Sequence, residues 1–302
     1  MSNDMDFRRI GPAIRELRIA KGITQKDLSE GICSKNYLSR LESGKVYALW
    51  DKLFLLSERL GVDISYFSEI AKYPETDFAS TVKQSIRETL KKNDYKTLLK
   101  MIKLYKKHPT FSKSNNNLQF LGWHESICIS QLDQDFEAAR ELLQHSLKLT
   151  YTPPKYVTEQ ELAIMNSIGV ICFETAQYQL AIDTYLNALK EIRHLRTPID
   201  KKVEIRIIYN LAKALGMTSN FKESTTYCQH GINVCKKSSY NYLLGNLYYL
   251  IGYNAFHEGN YQIAKENIEI SIQLFRLYDD DYLTKALESL KEIEQKLLQP
   301  QG

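Results

Sequence analysis

A polar residue followed by an aromatic one recurs at nearly even spacing through most of this chain. The five copies are Asp94-Tyr95, Asp135-Phe136, Gln177-Tyr178, Asn220-Phe221 and Asn260-Tyr261. Their aromatic residues lie 41, 42, 43 and 40 residues apart. In four copies a small residue follows three positions later: Ala139, Ala181, Ser224 and Ala264. A period of about 40 residues indicates stacked helix pairs, because a single pair cannot bury its own apolar face.

The composition favours helices. The 302 residues include only 13 glycines and 7 prolines, the residues that most disfavour helix interiors. The series Gly169, Ala181, Tyr185 and Ala188 is similar to the tetratricopeptide consensus, although the period exceeds the usual length of about 34 residues. We therefore predict an all-α chain in which residues 81–302 form a right-handed tetratricopeptide-like solenoid of about five helix pairs and a closing helix at 280–298.

The concave side of such a solenoid is lined by the first helix of each pair. Aligning the repeats by their small residues places amide and aromatic side chains there. Asparagine can hydrogen-bond a peptide backbone, aromatic rings offer apolar pockets, and Lys213 can hold a carboxylate. The predicted peptide-binding residues are His124, Asn166, Phe173, Tyr209, Asn210, Lys213, Asn246, Tyr249 and Tyr253, with Phe256 beside them. The alternative is that these are solvated or helix-packing positions.

Residues 1–70 form a separate pattern of five short helices, joined to the repeats by a linker at 71–80. Apolar residues at helical spacing predict a first helix that ends near Lys21-Gly22. Thr24 and Ser34 are the expected N-caps of the second and third helices. A turn of three or four residues around Ile32-Cys33 separates those two helices, which is typical of a helix-turn-helix. Two further helices are predicted near residues 51–60 and from 64 onward.

The exposed start of the third helix carries the residues predicted to read bases. Lysine can donate to guanine and asparagine can pair with adenine. The predicted base contacts are Lys35, Asn36 and Tyr37, and the predicted phosphate contacts are Gln25, Ser39, Arg40 and Lys45. Glu42 is expected in an internal ion pair, because phosphate repels a carboxylate. The core prediction comprises Leu28, Ile32, Leu38 and Leu41, and the alternative for the exposed set is a solvated helix face.

Other classes of function find little support in the sequence. The formal net charge of +4 permits nucleic-acid binding but does not argue for it. Five scattered cysteines include no CxxC pair, and six dispersed histidines include no HExxH motif. We therefore predict no catalysis, no cofactor and no metal site. The polar start at Met1–Asp4 and the absence of a long apolar run lead us to expect a cytoplasmic protein without membrane contact.

Two stretches carry a family resemblance. The string from Gly22 to Ser29, followed by Leu38-Ser39-Arg40-Leu41-Glu42-Ser43-Gly44, resembles the lambda-repressor-like (XRE/Cro) DNA-binding domain, although Cys33 stands where that family often has glycine. With Tyr209–Leu215 and Leu247-Tyr248-Tyr249 in the repeats, the whole chain resembles the Rgg/NprR/PlcR/PrgX (RNPP) regulators of Gram-positive bacteria, the PlcR branch above all.

The resemblance implies a homodimeric transcription regulator that binds double-stranded DNA and responds to a short signalling peptide, as in quorum sensing. The peptide would lie in the concave groove and change the placement of the two DNA-binding heads. The pivot is expected around Ala71 to Phe78, which includes Pro74. Two alternatives stay open at this point: a helical-repeat interaction scaffold, and a repressor that needs no ligand.

Overall fold

The computed structural model describes residues 7–71, 74–151, 157–195, 199–278 and 282–298. Every regular element in these ranges is a helix, so the prediction of an all-α fold is confirmed. In the same ranges no helix is at once long enough and apolar enough to cross a lipid bilayer.

The chain divides into two compact units, residues 1–94 with 107–114 and residues 95–106 with 115–302. After a 3₁₀ turn at Phe7–Arg9, the α-helices are α1 Ile10–Ala20, α2 Gln25–Ser29, α3 Lys35–Glu42, α4 Trp50–Leu60, α5 Ser65–Ala71, α6 Pro74–Lys91, α7 Tyr95–Tyr105, α8 Pro109–Ser112, α9 Asn115–Leu132, α10 Phe136–Lys148, α11 Glu159–Glu174, α12 Tyr178–His194, α13 Lys201–Met217, α14 Phe221–Ser238, α15 Leu244–His257, α16 Tyr261–Tyr278 and α17 Leu283–Leu298.

Two N-caps define where the two helices of the helix-turn-helix begin. The hydroxyl of Thr24 accepts from the Asp27 N–H at 3.2 Å, and the hydroxyl of Ser34 accepts from the Tyr37 N–H at 3.1 Å. Both caps satisfy amides that a helix start otherwise leaves without partners. Helix α2 ends at Ser29, and the N–H groups of Ile32 and Cys33 both turn back to the Ser29 carbonyl.

Helices α1 and α3 approach each other closely at one glycine. A Cβ added to Gly11 would lie 1.7 Å from the carbonyl oxygen of Leu41, so only glycine fits at this crossing. Leu28, Leu38 and Leu41 are fully buried, and Ile32 packs against them. The predicted core of this unit is therefore confirmed, and its packing leaves the opposite side of α3 exposed.

The second unit is built from helix pairs. Consecutive helices pack as α9 with α10, α11 with α12, α13 with α14, and α15 with α16, while α17 packs on α16. The first helices also meet one another, α11 with α13 and α13 with α15. The small residues Ala139, Ala181, Ser224 and Ala264 are all fully buried, and their size lets the paired helices approach closely.

The helix pairs and the linker differ in detail from the prediction. Four of the five expected helix pairs lie in the second unit. The fifth was expected from α6 and α7, but α6 belongs to the first unit and α7 packs on α9 in the second. The predicted linker falls on the last residue of α5, on residues 72–73, which lie outside the described part, and on the start of α6. Pro74 is the first residue of that helix, a position that tolerates proline because its N–H would have no helical partner.

The turn inside each repeat has one backbone conformation. The residue two positions before each repeat aromatic has a positive φ: Asn93 55°, Gln134 54°, Ala176 57°, Ser219 60° and Gly259 79°. After α11 the N–H of Ala176 donates to the Phe173 carbonyl at 3.0 Å and that of Gln177 to the Cys172 carbonyl at 2.8 Å. These are the two hydrogen bonds of a Schellman motif. The recurring polar-aromatic pair therefore marks the place where one helix ends and the next begins.

Candidate functional site

One side of α3 presents polar and cationic groups to solvent. Lys35 and Asn36 lie exposed in its first turn, Ser39 and Arg40 follow, and Lys45 stands just beyond the helix. In the described part of the chain, none of these five side chains makes a hydrogen bond or an ion pair. The structure therefore brings together three cations and an amide that are available to an anionic partner.

Tyr37 differs from the expectation. Its hydroxyl donates to the Tyr47 carbonyl at 3.1 Å and accepts from the Leu49 N–H at 3.0 Å. The ammonium of Lys52 lies 4.5 Å from the centre of its ring. The phenol thus holds the loop after α3 in place, and both of its hydrogen-bonding roles are occupied. We correct the base-reading role of Tyr37 to a positioning role for this loop.

Gln25 is also engaged within the head. Its amide nitrogen donates to Glu42 Oε2 at 2.8 Å, and the guanidinium of Arg18 holds the same carboxylate through bonds of 2.6 and 2.9 Å. The expectation of an internal ion pair at Glu42 is confirmed, and Arg18 is the partner that the sequence did not reveal. Glu42 therefore fixes the orientation of the Gln25 amide.

A second internal cation, Arg59 on α4, was missed by the sequence reasoning. Its Nη1 donates to the carbonyls of Asp27 and Leu28 at 3.2 and 3.3 Å, and also to that of Glu30. These carbonyls end α2, where helical acceptors have no partners. No local sequence pattern predicts this contact, because α2 and Arg59 meet only in the folded unit.

In the second unit, helices α11 and α13 are joined by side chains from the predicted set. The Asn210 amide donates to Asn166 Oδ1 at 2.8 Å. One turn further on, the ammonium of Lys213 lies 4.2 Å from the centre of the Phe173 ring. We call this surface, with its continuation on α15, the α11–α13–α15 face.

The continuation on α15 carries tyrosines. The hydroxyl of Tyr249 lies 3.1 Å from Ser289 Oγ on α17, and the ammonium of Lys285 lies 5.5 Å from the Tyr249 ring centre. Burial is the main cause that raises the pKa of Tyr209, and the nearby hydroxyl of Tyr282 raises it further. Lys285 and Ser289 were missed as members of this face, because the sequence indicated only that the last helix closes the stack.

His124 does not present its ring to a ligand. The side chain is only 1% exposed, its Nδ1 lies 2.8 Å from the Phe120 carbonyl, and its ring packs 4.1 Å from that of Phe120. We therefore correct its predicted role to core packing. Asn166, Asn246 and Tyr249 are also mostly buried, and the more accessible members are Phe173, Tyr209, Asn210, Lys213 and Tyr253.

Lys213 is a half-buried cation on this face. Burial lowers its pKa and the nearby Lys285 lowers it further, while Glu174 acts in the opposite direction. No carboxylate lies within ion-pair distance of its ammonium among the described residues. An anionic group delivered from outside would relieve the mutual repulsion of Lys213 and Lys285.

Comparisons with known proteins agree with this architecture. The RNPP family C-terminal domain matches residues 83–293, and a helix-turn-helix family matches residues 14–67. Among curated protein sequences, none matches this chain significantly. Bacillus thuringiensis PlcR, crystallised in complex with the peptide PapR7 and DNA, is 25% identical with a TM-score of 0.73, over 97% of this chain and 100% of that one.

Two further solved structures share the fold at lower identity. The Streptococcus dysgalactiae SHP pheromone receptor Rgg2 is 16% identical with a TM-score of 0.64, over 94% of this chain and 99% of that one. ComR from S. thermophilus, solved with DNA and its signalling peptide ComS, is 18% identical with a TM-score of 0.57, over 95% and 98%. The match to the RNPP C-terminal domain covers more than half of the chain and adjoins a helix-turn-helix, so this protein belongs to the RNPP family.

Proposed function

We propose that this chain is a cytoplasmic, homodimeric transcription regulator. Its α3 surface would bind a specific DNA sequence, and a short signalling peptide on the α11–α13–α15 face would control that binding. The main support is a set of exposed side chains on and just after α3 that have no partner among the described residues: Lys35, Asn36, Ser39, Arg40 and Lys45. The similarity to PlcR, which was crystallised with a peptide and DNA, supports both parts of the proposal.

Two identical heads are part of the proposal for a physical reason. One helix-turn-helix makes few base contacts, and related proteins gain specificity by placing two recognition helices about one helical turn of DNA apart. A peptide can change DNA binding only if it binds better to one arrangement of the two heads than to the other. Such coupling would connect peptide binding on the second unit to DNA binding on the first.

The DNA part is tested with duplexes that the protein selects from a random pool. We expect Arg40→Ala to weaken binding to every selected site and to lower the slope of log affinity against log salt by about 0.9, the value for one lost phosphate contact. Asn36→Ala should instead relax base preference at one position of each half-site, by about 1–3 kcal/mol. Lys21→Ala, an exposed cation on the first turn after α1, is the control. An unchanged salt slope for Arg40→Ala would remove that residue from the interface.

The peptide part is tested with the same duplexes and a pool of random peptides about seven residues long. We expect some peptides to change the DNA affinity of the wild-type protein. Asn210→Ala should abolish that response and leave DNA affinity without peptide intact, because it removes the amide that links α13 to Asn166. Asn233→Ala, an exposed asparagine on α14, should respond normally. A scaffold or a ligand-independent repressor would show no peptide response in any of these proteins.

A further inference from the structure

An open cavity of about 420 Å³ lies where the connection between α14 and α15 and the start of α15 meet α16 and the start of α13. Its walls are polar and aromatic as well as apolar, and the lining residues include Lys202, Tyr240, Tyr242 and Asn246. The ammonium of Lys202 lies 5.4 Å from the centre of the Tyr240 ring. Nearby, Arg206 Nε donates to the Tyr242 hydroxyl at 2.8 Å, so a second positive charge stands beside the wall.

Helix α15 begins at this cavity without a side-chain cap. The N-cap residue is Leu243, which has no hydrogen-bonding side chain. The Leu244 N–H donates to the Asn241 carbonyl, and the helical ladder starts with the Leu247 N–H. Among the described residues, no acceptor takes the N–H groups of Gly245 and Asn246, and both residues line the cavity. These amides carry the positive end of the helix dipole.

Asn246 adds a polar side chain to the residues that line this cavity. It is 94% buried, since only 6% of the residue is exposed, and it lines the cavity. In the described part of the chain its amide makes no hydrogen bond. An amide that has no partner among the described residues is free to hydrogen-bond a ligand that enters the cavity. Two backbone donors, an amide and an ammonium match the oxygens of one carboxylate.

The cavity lies at one end of the α11–α13–α15 face. Lys202 and Lys213 are eleven residues apart on α13, which is close to three turns and returns the side chain to the same side of the helix. Their separation along the axis is about 16 Å, the span of roughly five extended residues. On α15, Asn246 shares a side with Tyr249 and Tyr253 for the same geometric reason.

We propose that this cavity binds the terminal carboxylate of the signalling peptide and so sets the direction in which the peptide lies on the face. The proposal rests on the proposed function. The Gly245 and Asn246 N–H groups and the Asn246 amide donate to the carboxylate oxygens, and Lys202 balances the charge. Lys213, at the other end, then meets an internal part of the peptide.

The test uses two random peptide pools of equal composition, one ended by a carboxylate and the other by a carboxamide, with the full-length protein. We expect the wild-type protein to bind the carboxylate pool about tenfold tighter or more. Lys202→Gln should remove this preference, whereas Lys213→Gln should keep it. Asn246→Asp, which is nearly isosteric, should favour the carboxamide pool, and Lys236→Gln on α14 is the control for lost charge.

Each contrary result has a separate meaning. Equal binding of both pools overturns this inference and leaves the proposed function standing, whereas no binding of either pool overturns both. A preference that Lys213→Gln abolishes and Lys202→Gln keeps would place the carboxylate elsewhere. If inorganic phosphate alone stabilises the protein through Lys202 and the pools bind equally, the site takes a free anion, which overturns the assignment to a peptide.

The acidic run at 279–281 follows the cavity-lining Phe275 in the sequence and lies outside the described residues. A chain carboxylate that filled the cavity would compete with a peptide. If the wild-type protein binds both pools equally, and a preference for the carboxylate pool appears only when all three aspartates are replaced by asparagine, the proposal is overturned.

Discussion

Glu42 connects three helices of the head through charged hydrogen bonds. It lies at the end of α3, is 3% exposed, and accepts from Arg18 on α1 and Gln25 on α2. Burial by itself would raise the pKa of Glu42, but the hydrogen bonds from Arg18 and Gln25 outweigh it and lower the pKa below its usual value. The recognition helix is therefore held to its neighbours by an ionised carboxylate.

This carboxylate predicts how the head responds to acid. A folded pKa below the unfolded value of about 4.3 means that the unfolded state binds more protons in that range. The stability that Glu42 contributes is complete above about pH 5 and is lost as the pH falls through the folded pKa. We expect Glu42→Gln to destabilise the head by about 1.5–3 kcal/mol at pH 7 and to flatten this acid dependence.

Native-state hydrogen exchange over residues 10–42, corrected for intrinsic rates, measures the effect. Glu58→Gln on α4 is the control, because it removes an equal charge from an exposed position. Equal protection in Glu42→Gln and wild type at pH 7 would show that the carboxylate does not hold these helices together.

At the scale of residues, prediction succeeded where one side chain decides the outcome. The N-caps Thr24 and Ser34 satisfy amides three residues away, so a short sequence window contains the whole interaction. Tyr37 and His124 were predicted less well, because their partners lie at Tyr47 and in the packing around Phe120. Exposure of a side chain depends on tertiary neighbours, which periodicity alone does not specify.

At the scale of elements, the same turn recurs between consecutive helices. Four of its five residues with positive φ are not glycine, and Ala176 is one of them, with φ at 57°. An L-residue with a Cβ is strained in this region by about 1–2 kcal/mol, and glycine is not. Ala176 and Ser219 occupy the position that Gly259 fills without strain in the last repeat.

We therefore expect Ala176→Gly to stabilise the second unit by about 0.5–1 kcal/mol. The relief of strain exceeds the extra backbone entropy that glycine loses on folding. Chemical denaturation of the full chain, followed by the fluorescence of Trp123 in a Trp50→Phe background, measures it. Ala138→Gly, in the right-handed first turn of α10, is the matched control and should destabilise by a similar amount. A loss of stability in both variants would contradict the strain argument.

The sequence indicated these elements well because its signals are local. The predicted closing helix at 280–298 is found at Leu283–Leu298, and the fourth head helix is found at Trp50–Leu60. The full membership of the α11–α13–α15 face was harder to predict. Lys285 and Ser289 join the α11–α13–α15 face only because α17 packs beside α15 in the folded unit, a contact about 40 residues away in the sequence.

At the scale of the whole molecule, the two proposed ligands bind to different compact units of one chain. The α3 surface belongs to the first unit and the α11–α13–α15 face to the second. If both ligands bind, any influence between them is a coupling free energy. Such coupling is reciprocal: the factor by which one ligand changes the affinity of the other is the same in both directions.

Reciprocity gives a quantitative prediction for this protein. A peptide that changes the affinity for a selected DNA duplex by a given factor, typically about 5–150-fold, must have its own affinity changed by the same factor when that duplex is present. Calorimetric titration of the peptide with and without saturating duplex, and of the duplex with and without peptide, measures both. Arg40→Ala should retain peptide affinity in the absence of DNA, because it alters only the α3 surface. Unequal factors at equilibrium would mean that the peptide and the duplex act on different assemblies of the chain, since within a single assembly the thermodynamic cycle forces the two factors to agree.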